Sequence, residues 1–461
     1  MKLALLGGGG FRVPLVVRTL LADTSEARVR ELRLHDVDAD RLRAMAGILE
    51  VLTSEHPDPP RVVLSDSLEE AVRGADVVFS AIRVGGTEGR AADERIARSV
   101  GIIGQETTGF GGISYALRGL PVARDIARTV ADLAPDAWLI NFTNPAGIIT
   151  EASREHLGDR VIGICDSPIG LARRALSVLE RRGDLPAGTA RDVGTGASPV
   201  RLDYAGLNHL GWLQGVVVDG RDVLPRLLAD PEAIESFEEG RLFGAEWIRT
   251  LGCIPNEYLH YYYFAREVRE ADAASDVTRG VYLARQQSEF YSRAAGADGA
   301  EVQQLWERTR RDREATYMAS SREAAGGIER EEEDLESGGY DRVALAIMHA
   351  VAGQEPAQLI LNVRNGSTLP QLPADAVVEV PCRVDAHGPE PLEVSGLPGH
   401  ALGLVQTVKE VERTVIRAST TGSRDLAVEA LALHPLVDGF GVARRALDAA
   451  LDTFPQLAYL R

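Results

Sequence analysis

Cysteine is scarce in this chain. Cys165, Cys253 and Cys382 are the only 3 among 461 residues, too few for a disulfide framework. Such scarcity suits a reducing cytosol, so a cytoplasmic location is expected. Excess positive charge is also missing. The 50 Lys and Arg stand against 68 Asp and Glu, for a formal net charge of −18. That balance argues against nucleic acid or an anionic membrane as a partner. It leaves room for a phosphorylated small molecule, which needs only a local cluster of Arg and backbone N–H groups. Long apolar runs are absent too. No stretch reaches about 18 uninterrupted apolar residues, so no transmembrane helix is expected. Lys2 and the run Leu3 to Leu6 resemble a signal peptide only briefly, because four glycines and Arg12 end the apolar stretch.

What remains is ample for a large core, and the length suggests about two or three domains. The first part alternates strand and helix signals. KLALLG, VRELRLHDVD, RVVLSDS, DVVFSAI, AWLINFTNP and RVIGICDSP read as strands, and VVRTLLA, DRLRAMAGILEVLTSEH and SLEEAVRGA as helices. Such alternation predicts an α/β fold with a doubly wound, Rossmann-like parallel sheet and right-handed crossovers. Beyond Pro168 the alternation weakens, and SPVRLDYAGLNHLGWLQGVVVDG reads as partly antiparallel strands. Helices are expected from about Pro225 to Ala325, and an exposed acidic loop or short helix in GGIEREEEDLESGG. Strands return in QLILNVRNGSTLPQLPADAVVEVPCRVD with a turn at Asn365-Gly366, and the end from Gly399 is helical. The expected division is a dinucleotide-binding domain over 1–168. A mixed α/β domain over 169–461 would carry substrate binding, catalysis and oligomerisation.

Two chemical signals stand out. The turn Gly7-Gly8-Gly9-Gly10 follows an apolar strand and precedes a helix. Glycine lets backbone approach a pyrophosphate while the next helix offers its N-terminal N–H groups. Asp36 closes the second strand where a ribose-binding acid is expected. The strict GxGxxG spacing is not met, since Phe11 and Arg12 follow, and a tight turn without a ligand has the same outline. The second signal is Cys165 in GICDSP with His209 in GLNHL. A lone Cys at a strand end is more often core than ligand, and a lone His is more often satisfied structurally. As metal ligands they form an incomplete shell that substrate oxygens or water would fill. Tyr258 opens an aromatic run with Tyr261, Tyr262 and Tyr263. On a helix this is a core stripe, and a tyrosine acts as base only if neighbours lower its pKa from about 10. GRAADERI and GIIGQETTGFGG add Arg90, Asp93, Glu94, Gln105 and Glu106, and NFTNPAG places Asn141 and Asn144 at a strand end.

Taken in order, GRAADERIARSVGIIGQETTGFGG, INFTNPAG, GICDSP, GLNHL, IPNEYLHYYY and LPADAVVEVPC resemble glycoside hydrolase family 4, the NAD-dependent glycosidases. The resemblance covers nearly the whole chain, and GQETTGFGG is most like the 6-phospho-β-glucosidase branch. It implies NAD and a divalent cation, usually Mn²⁺, rather than the two-carboxylate route of most glycosidases. The implied cycle oxidises C3 of the sugar, removes the C2 proton, eliminates the leaving group, adds water and returns the hydride. Position by position, Cys165 and His209 match the metal ligands, Tyr258 the base, Glu106 an acid supporting it, and Asp166 the proton donor. Gly7, Gly8, Gly9, Gly10, Phe11, Asp36 and Arg83 match the cofactor site. Arg90 and Asn144 match substrate contacts, and Arg279 a phosphosugar contact. The implied substrate is a phosphorylated disaccharide or aryl glucoside, and the implied assembly a homo-oligomer, dimer or tetramer. Two departures stand out. Asp166 follows Cys165 where the β-cleaving branch usually has Asn, and GGFRVP lacks the serine of that branch. An α-cleaving enzyme of the same family is therefore the alternative. An NAD-dependent hydroxy-acid dehydrogenase would share the first domain. A dinucleotide-sensing regulator would need no base such as Tyr258.

Overall fold

The computed structural model describes residues 1–193, 200–316, 322, 325 and 339–461. The acidic run at 326–339 lies outside them apart from Gly339. Six strands form the first part: β1 (Lys2–Leu6), β2 (Glu31–His35), β3 (Arg61–Leu64), β4 (Val77–Ser80), β5 (Trp138–Asn141) and β6 (Val161–Gly163). They are all parallel, in the order 3-2-1-4-5-6 of a doubly wound dinucleotide fold. The central β4 is buried along its whole length, as expected of a strand covered on both faces. Helices α1 (Val13–Ala22), α2 (Ala39–Ser54), α3 (Leu68–Val72), α4 (Gly86–Ser99), α5 (Gly109–Leu133), α6 (Ala146–Leu157) and α7 (Ser167–Arg181) fill the crossovers. Pro14 lies in the first turn of α1, where its missing N–H costs nothing. Asp38 caps α2, accepting from the backbone N–H groups of Asp40 and Arg41.

The later strands are β7 (Val200–Leu207), β8 (Leu210–Val218), β9 (Arg221–Asp222), β10 (Ile254–Pro255), β11 (Ala357–Arg364), β12 (Val377–Asp385) and β13 (Gly388–Pro391). They pair antiparallel, and they extend the same sheet, which has 13 strands among the described residues. The join is narrow: β11 meets β6 with Asn362 opposite Gly163, and β7 meets β12 with Gly206 opposite Glu379. One apolar core runs along the sheet from Leu3 and Leu34 to Trp212 and Leu361. A second lies between α5, α6 and three C-terminal helices, Leu402–Thr421, Arg424–Leu433 and Phe440–Thr453. There Arg118 meets Asp93 through two hydrogen bonds of 3.0 and 2.6 Å, under the ring of Phe454. Each buried charge faces its counterion, and Arg118 also donates to Ser114 Oγ at 2.7 Å. Among the described residues no helix is long and apolar enough to cross a membrane.

Candidate functional site

The parallel strands end at a cavity of about 1000 Å³, the position where doubly wound sheets bind ligands. Its first wall is the turn after β1. Gly7 takes φ +85°, and its N–H and that of Gly8 donate to the His35 carbonyl at 3.0 and 2.9 Å. A Cβ on Gly7 would stand 2.6 Å from the Ala81 oxygen, so only glycine fits. The Gly9 N–H donates to the Asp36 carboxylate at 2.9 Å. The carbonyls of the turn are taken by side chains from far along the chain. Tyr291 donates to Gly9, Trp306 to Phe11 and Tyr340 to Arg12, at 2.6, 2.7 and 3.1 Å. Gly7, Gly9, Gly10, Phe11 and Asp36 line the cavity, while Gly8 packs behind them on Leu34. This backbone cradle, leading into the N-terminus of α1, fits a dinucleotide phosphate.

The opposite wall gathers side chains from separate elements. Cys165 stands just past β6, and His209 sits in the two-residue turn between β7 and β8. The Cys165 Sγ lies 3.5 Å from His209 Nε2, and Thr107 Oγ1 holds His209 Nδ1 at 3.0 Å. Burial keeps the imidazole neutral, with its pKa lowered to about 3 against a smaller opposing pull from Glu106. Neutral imidazole is the metal-binding form. Burial, with the charges of Glu379 and Asp166, pushes the Cys165 thiol well up, so a cation that binds there must displace its proton. A first-row cation with bonds of about 2.0–2.3 Å could bridge such a pair. The described residues contain no cluster of three or more metal-ligating side chains, so oxygens from the cavity would complete the shell. Thiolate is an unusual partner for Mn²⁺. Tyr258 stacks on the His209 ring, with centroids 3.7 Å apart and 8° between planes. It is placed there by β10, which pairs with β8, and by Asn256, whose side chain accepts from the Tyr258 N–H at 3.1 Å.

Family models match both parts of the chain. Residues 2–180 fit the family 4 glycosyl hydrolase model, and residues 204–437 fit its C-terminal domain. A probable 6-phospho-beta-glucosidase of Bacillus subtilis is 30% identical, over 98% of this chain and 96% of its own. The chain belongs to glycosyl hydrolase family 4. A maltose-6'-phosphate glucosidase of Bacillus subtilis is 27% identical, over 99% of this chain and 97% of its own. The 6-phospho-beta glucosidase of Thermotoga maritima, solved with manganese, NAD⁺ and glucose-6-phosphate, is 28% identical. It superposes with a TM-score of 0.78 over 98% of each chain.

The remaining residues matched to family positions also reach this cavity. Glu106 lies between two guanidinium groups, 3.0 Å from Arg83 and 2.7 Å from Arg90. Burial alone would raise Glu106, but Arg90, Arg83 and Arg313 outweigh it and hold its carboxyl at about 2. It is a fixed anion in the wall. Asp166 stands at the N-cap position of α7 without a capping bond from its side chain, and its Oδ2 lies 3.6 Å from the Arg12 guanidinium. The two departures from the β-cleaving pattern therefore meet in space. Asn141 turns inward and bonds to Thr143 and Thr150, shaping the end of β5. Asn144, by contrast, lines the cavity, and its buried Oδ1 has no hydrogen-bond partner among the described residues. Arg279 reaches the cavity from the start of the helix Arg279–Ala294, donating to Thr316 Oγ1 and to the Arg313 carbonyl.

Several neighbours carry no motif of their own. Arg313 is one arginine in an arginine-rich helix, and nothing in its sequence singles it out. Thr107 lies in the QETT segment, but only the fold shows its bond to His209. Ser167 donates to Glu257 at 2.9 Å, and Arg174 lies 3.7 Å from the same carboxylate. These contacts tie the turn bearing Asp166 to the turn bearing Tyr258.

Proposed function

We propose that this chain hydrolyses 6-phosphorylated β-glucosides with NAD and a divalent cation, Mn²⁺ first, as cofactors. One observation carries this: a single cavity joins the glycine cradle to the Cys165, His209 and Tyr258 corner. Gly7, Gly9, Gly10, Phe11, Asp36 and Arg83 would hold NAD, with Gly8 supporting the turn. Cys165 and His209 would hold the cation. When bound, the two groups supply a hydride acceptor and donor at C3 and charge stabilisation at the C2 and C3 oxygens.

The chain's own residues do the rest. Tyr258 removes the C2 proton, whose acidity rises once C3 is a ketone. Asp166 hands a proton to the glycosidic oxygen as the C1–O bond breaks. Glu106, held ionised by its arginines, is the fixed negative charge that supports the base. Arg90 and Asn144 hold sugar hydroxyls, and the buried Asn144 Oδ1, without a partner among the described residues, supports that role. Arg279 receives the 6-phosphate. The names of the relatives in Bacillus subtilis and Thermotoga maritima support a phosphorylated glucoside, either a disaccharide or an aryl glucoside. Asp166 after Cys165 favours the α-cleaving alternative. In this reading the enzyme is a cytoplasmic homo-oligomer, dimer or tetramer. Its division falls near residue 168, where parallel strands give way to antiparallel ones.

The test uses p-nitrophenyl α- and β-glucosides, with and without 6-phosphate, assayed with NAD⁺ and Mn²⁺ under reducing conditions. Release of nitrophenol from the β-6-phosphate should require both cofactors and leave no lasting NADH absorbance. Stoichiometric NADH would replace the glycosidase with a hydroxy-acid dehydrogenase, and preference for the α substrate would reverse the anomer.

A further inference from the structure

The row where the antiparallel strands join the parallel ones carries polar side chains with no assigned role. Register sets Gly163 of β6 opposite Asn362 of β11, Asn362 opposite Glu379 of β12, and Glu379 opposite Gly206 of β7. Both candidate metal ligands lie just downstream of this row. Cys165 follows Gly163, and His209 follows Gly206. The row is tightly packed. A Cβ on Gly163 would stand 2.8 Å from the Asn362 Cβ, and one on Gly206 2.4 Å from the Gly211 Cα.

Glu379 is fully buried. Its Oε2 accepts from the Tyr204 hydroxyl at 3.0 Å, and its Oε1 from the side-chain amides of Asn362 and Asn208 at 2.9 and 3.2 Å. The other end of Asn208 is used as well: its Oδ1 accepts from the Ala146 N–H at 3.1 Å. Asn208 therefore links Glu379 to the segment that carries Asn144.

His209 needs such a hold. Its turn has only two residues, with Leu207 paired to Leu210, and His209 itself takes φ +63°. A residue with a Cβ adopts this left-handed conformation at a cost, and keeps it where the surroundings over-determine it. Thr107 fixes the ring from one side. Asn208, anchored on Glu379, fixes the backbone of the same turn.

We propose that Glu379 is a positioning residue for the cation site. Through Asn208 it holds the β7–β8 turn so that His209 Nε2 stands opposite Cys165 Sγ. This rests on the reading that those two atoms share a cation. Outer partners of metal ligands typically change affinity about tenfold to hundredfold when mutated, and Glu379 acts at this level through a backbone turn rather than through the ring.

The test uses full-length Glu379→Gln and Asn208→Ala. Glu379→Gln removes the charge and one acceptor oxygen: its N–H₂ either meets the Asn362 and Asn208 amides, which are donors, or faces Tyr204, whose hydroxyl must then give up donating. Asn208→Ala removes the link and leaves the bonds of Glu379 to Tyr204 and Asn362. Free Mn²⁺ is followed by electron paramagnetic resonance under reducing conditions, with NAD⁺ affinity and thermal unfolding measured alongside. Both variants should bind Mn²⁺ about tenfold to hundredfold more weakly, keep NAD⁺ affinity within about twofold, and regain kcat at saturating Mn²⁺. Unchanged Mn²⁺ affinity in a folded variant would overturn the proposal. So would Mn²⁺ and NAD⁺ affinities that fall together with Tm, because that pattern marks a purely structural role. Should Glu379→Gln fail to fold, Asn208→Ala decides alone. A parent enzyme that binds no Mn²⁺, or a Cys165→Ser variant that binds it as well as the parent, sinks the cation reading itself.

Discussion

The glycine cradle and the Cys165–His209 corner face each other across one cavity but are assembled differently. The cradle comes from one short stretch, Gly7 to Phe11, and works mainly through backbone. The corner takes Thr107, Cys165, His209 and Tyr258 from four places in the chain and works through side chains. A backbone site is sensitive to any added Cβ and indifferent to most neighbouring chemistry. A side-chain site depends on particular polar atoms and on the register that brings them together. The two walls should therefore fail separately, with different signatures.

The largest separation is expected at Tyr258. Tyr258→Phe keeps the ring stack on His209 and removes only the hydroxyl, so NAD⁺ and Mn²⁺ affinities should persist. The kcat should drop by about 10²–10⁴-fold, the usual contribution of a general base. In parent enzyme turning over in D₂O, deuterium should enter at C2 of the released sugar phosphate. A normal rate for the variant, with no deuterium at C2, would return the chemistry to carboxylates.

A smaller effect should mark the cradle. At Gly7 an added Cβ meets the Ala81 oxygen at 2.6 Å, and φ is +85°. Strain of this kind costs about 1–3 kcal/mol, so Gly7→Ala should weaken NAD⁺ binding about fivefold to a hundredfold. Mn²⁺ affinity should stay as it was. Titration of both ligands checks this, and a joint loss would show that the two walls are one unit.

The smallest expected effect lies under the loop that carries Glu106 and Thr107. Neutral His434 can accept through one ring nitrogen, from the N–H of Leu436 at 3.0 Å or that of Gly109 at 3.3 Å, and an imidazolium has no lone pair for either. Burial lowers its pKa to about 3. The unfolded chain takes up this proton near pH 6.5 and the folded chain only near 3. Stability is thus complete above about 6.5 and is lost as pH falls towards 3. The loss should reach about 1.4 kcal/mol at pH 5.5. His434→Gln should flatten that part of the profile of Tm against pH, and an unchanged slope would place the acid sensitivity elsewhere.

The same contrast explains what could be read from the sequence. The Rossmann-like half was legible because strand, glycine turn and acid lie close together, and the parallel order follows from alternating periodicities. The turn at Asn365-Gly366 was also legible, and Gly366 takes φ +58°. The continuity of the sheet was not, because the pairing of Asn362 with Gly163 joins residues far apart with no local signal. Asn141 and Asn144 share one motif, yet one bonds inward and the other faces the cavity, a distinction that depends on tertiary packing. Arg313 and Arg174 are indistinguishable in the sequence from the many surface arginines. The bond of Thr107 to His209 depends on a turn that folds 102 residues later.

The aromatic donors on the glycine turn have a further effect. Tyr291, Trp306 and Tyr340 occupy the carbonyl oxygens of Gly9, Phe11 and Arg12. A bare turn shows an approaching ligand both signs of partial charge, N–H groups and oxygen lone pairs alike. Here the lone pairs are spoken for by the far half of the chain. The N–H groups of Gly7, Gly8 and Gly9 are engaged as well, by the His35 carbonyl and the Asp36 carboxylate, so the shape of the turn is fixed from both sides. The first half of the chain supplies the groove, and the second half holds its backbone in place.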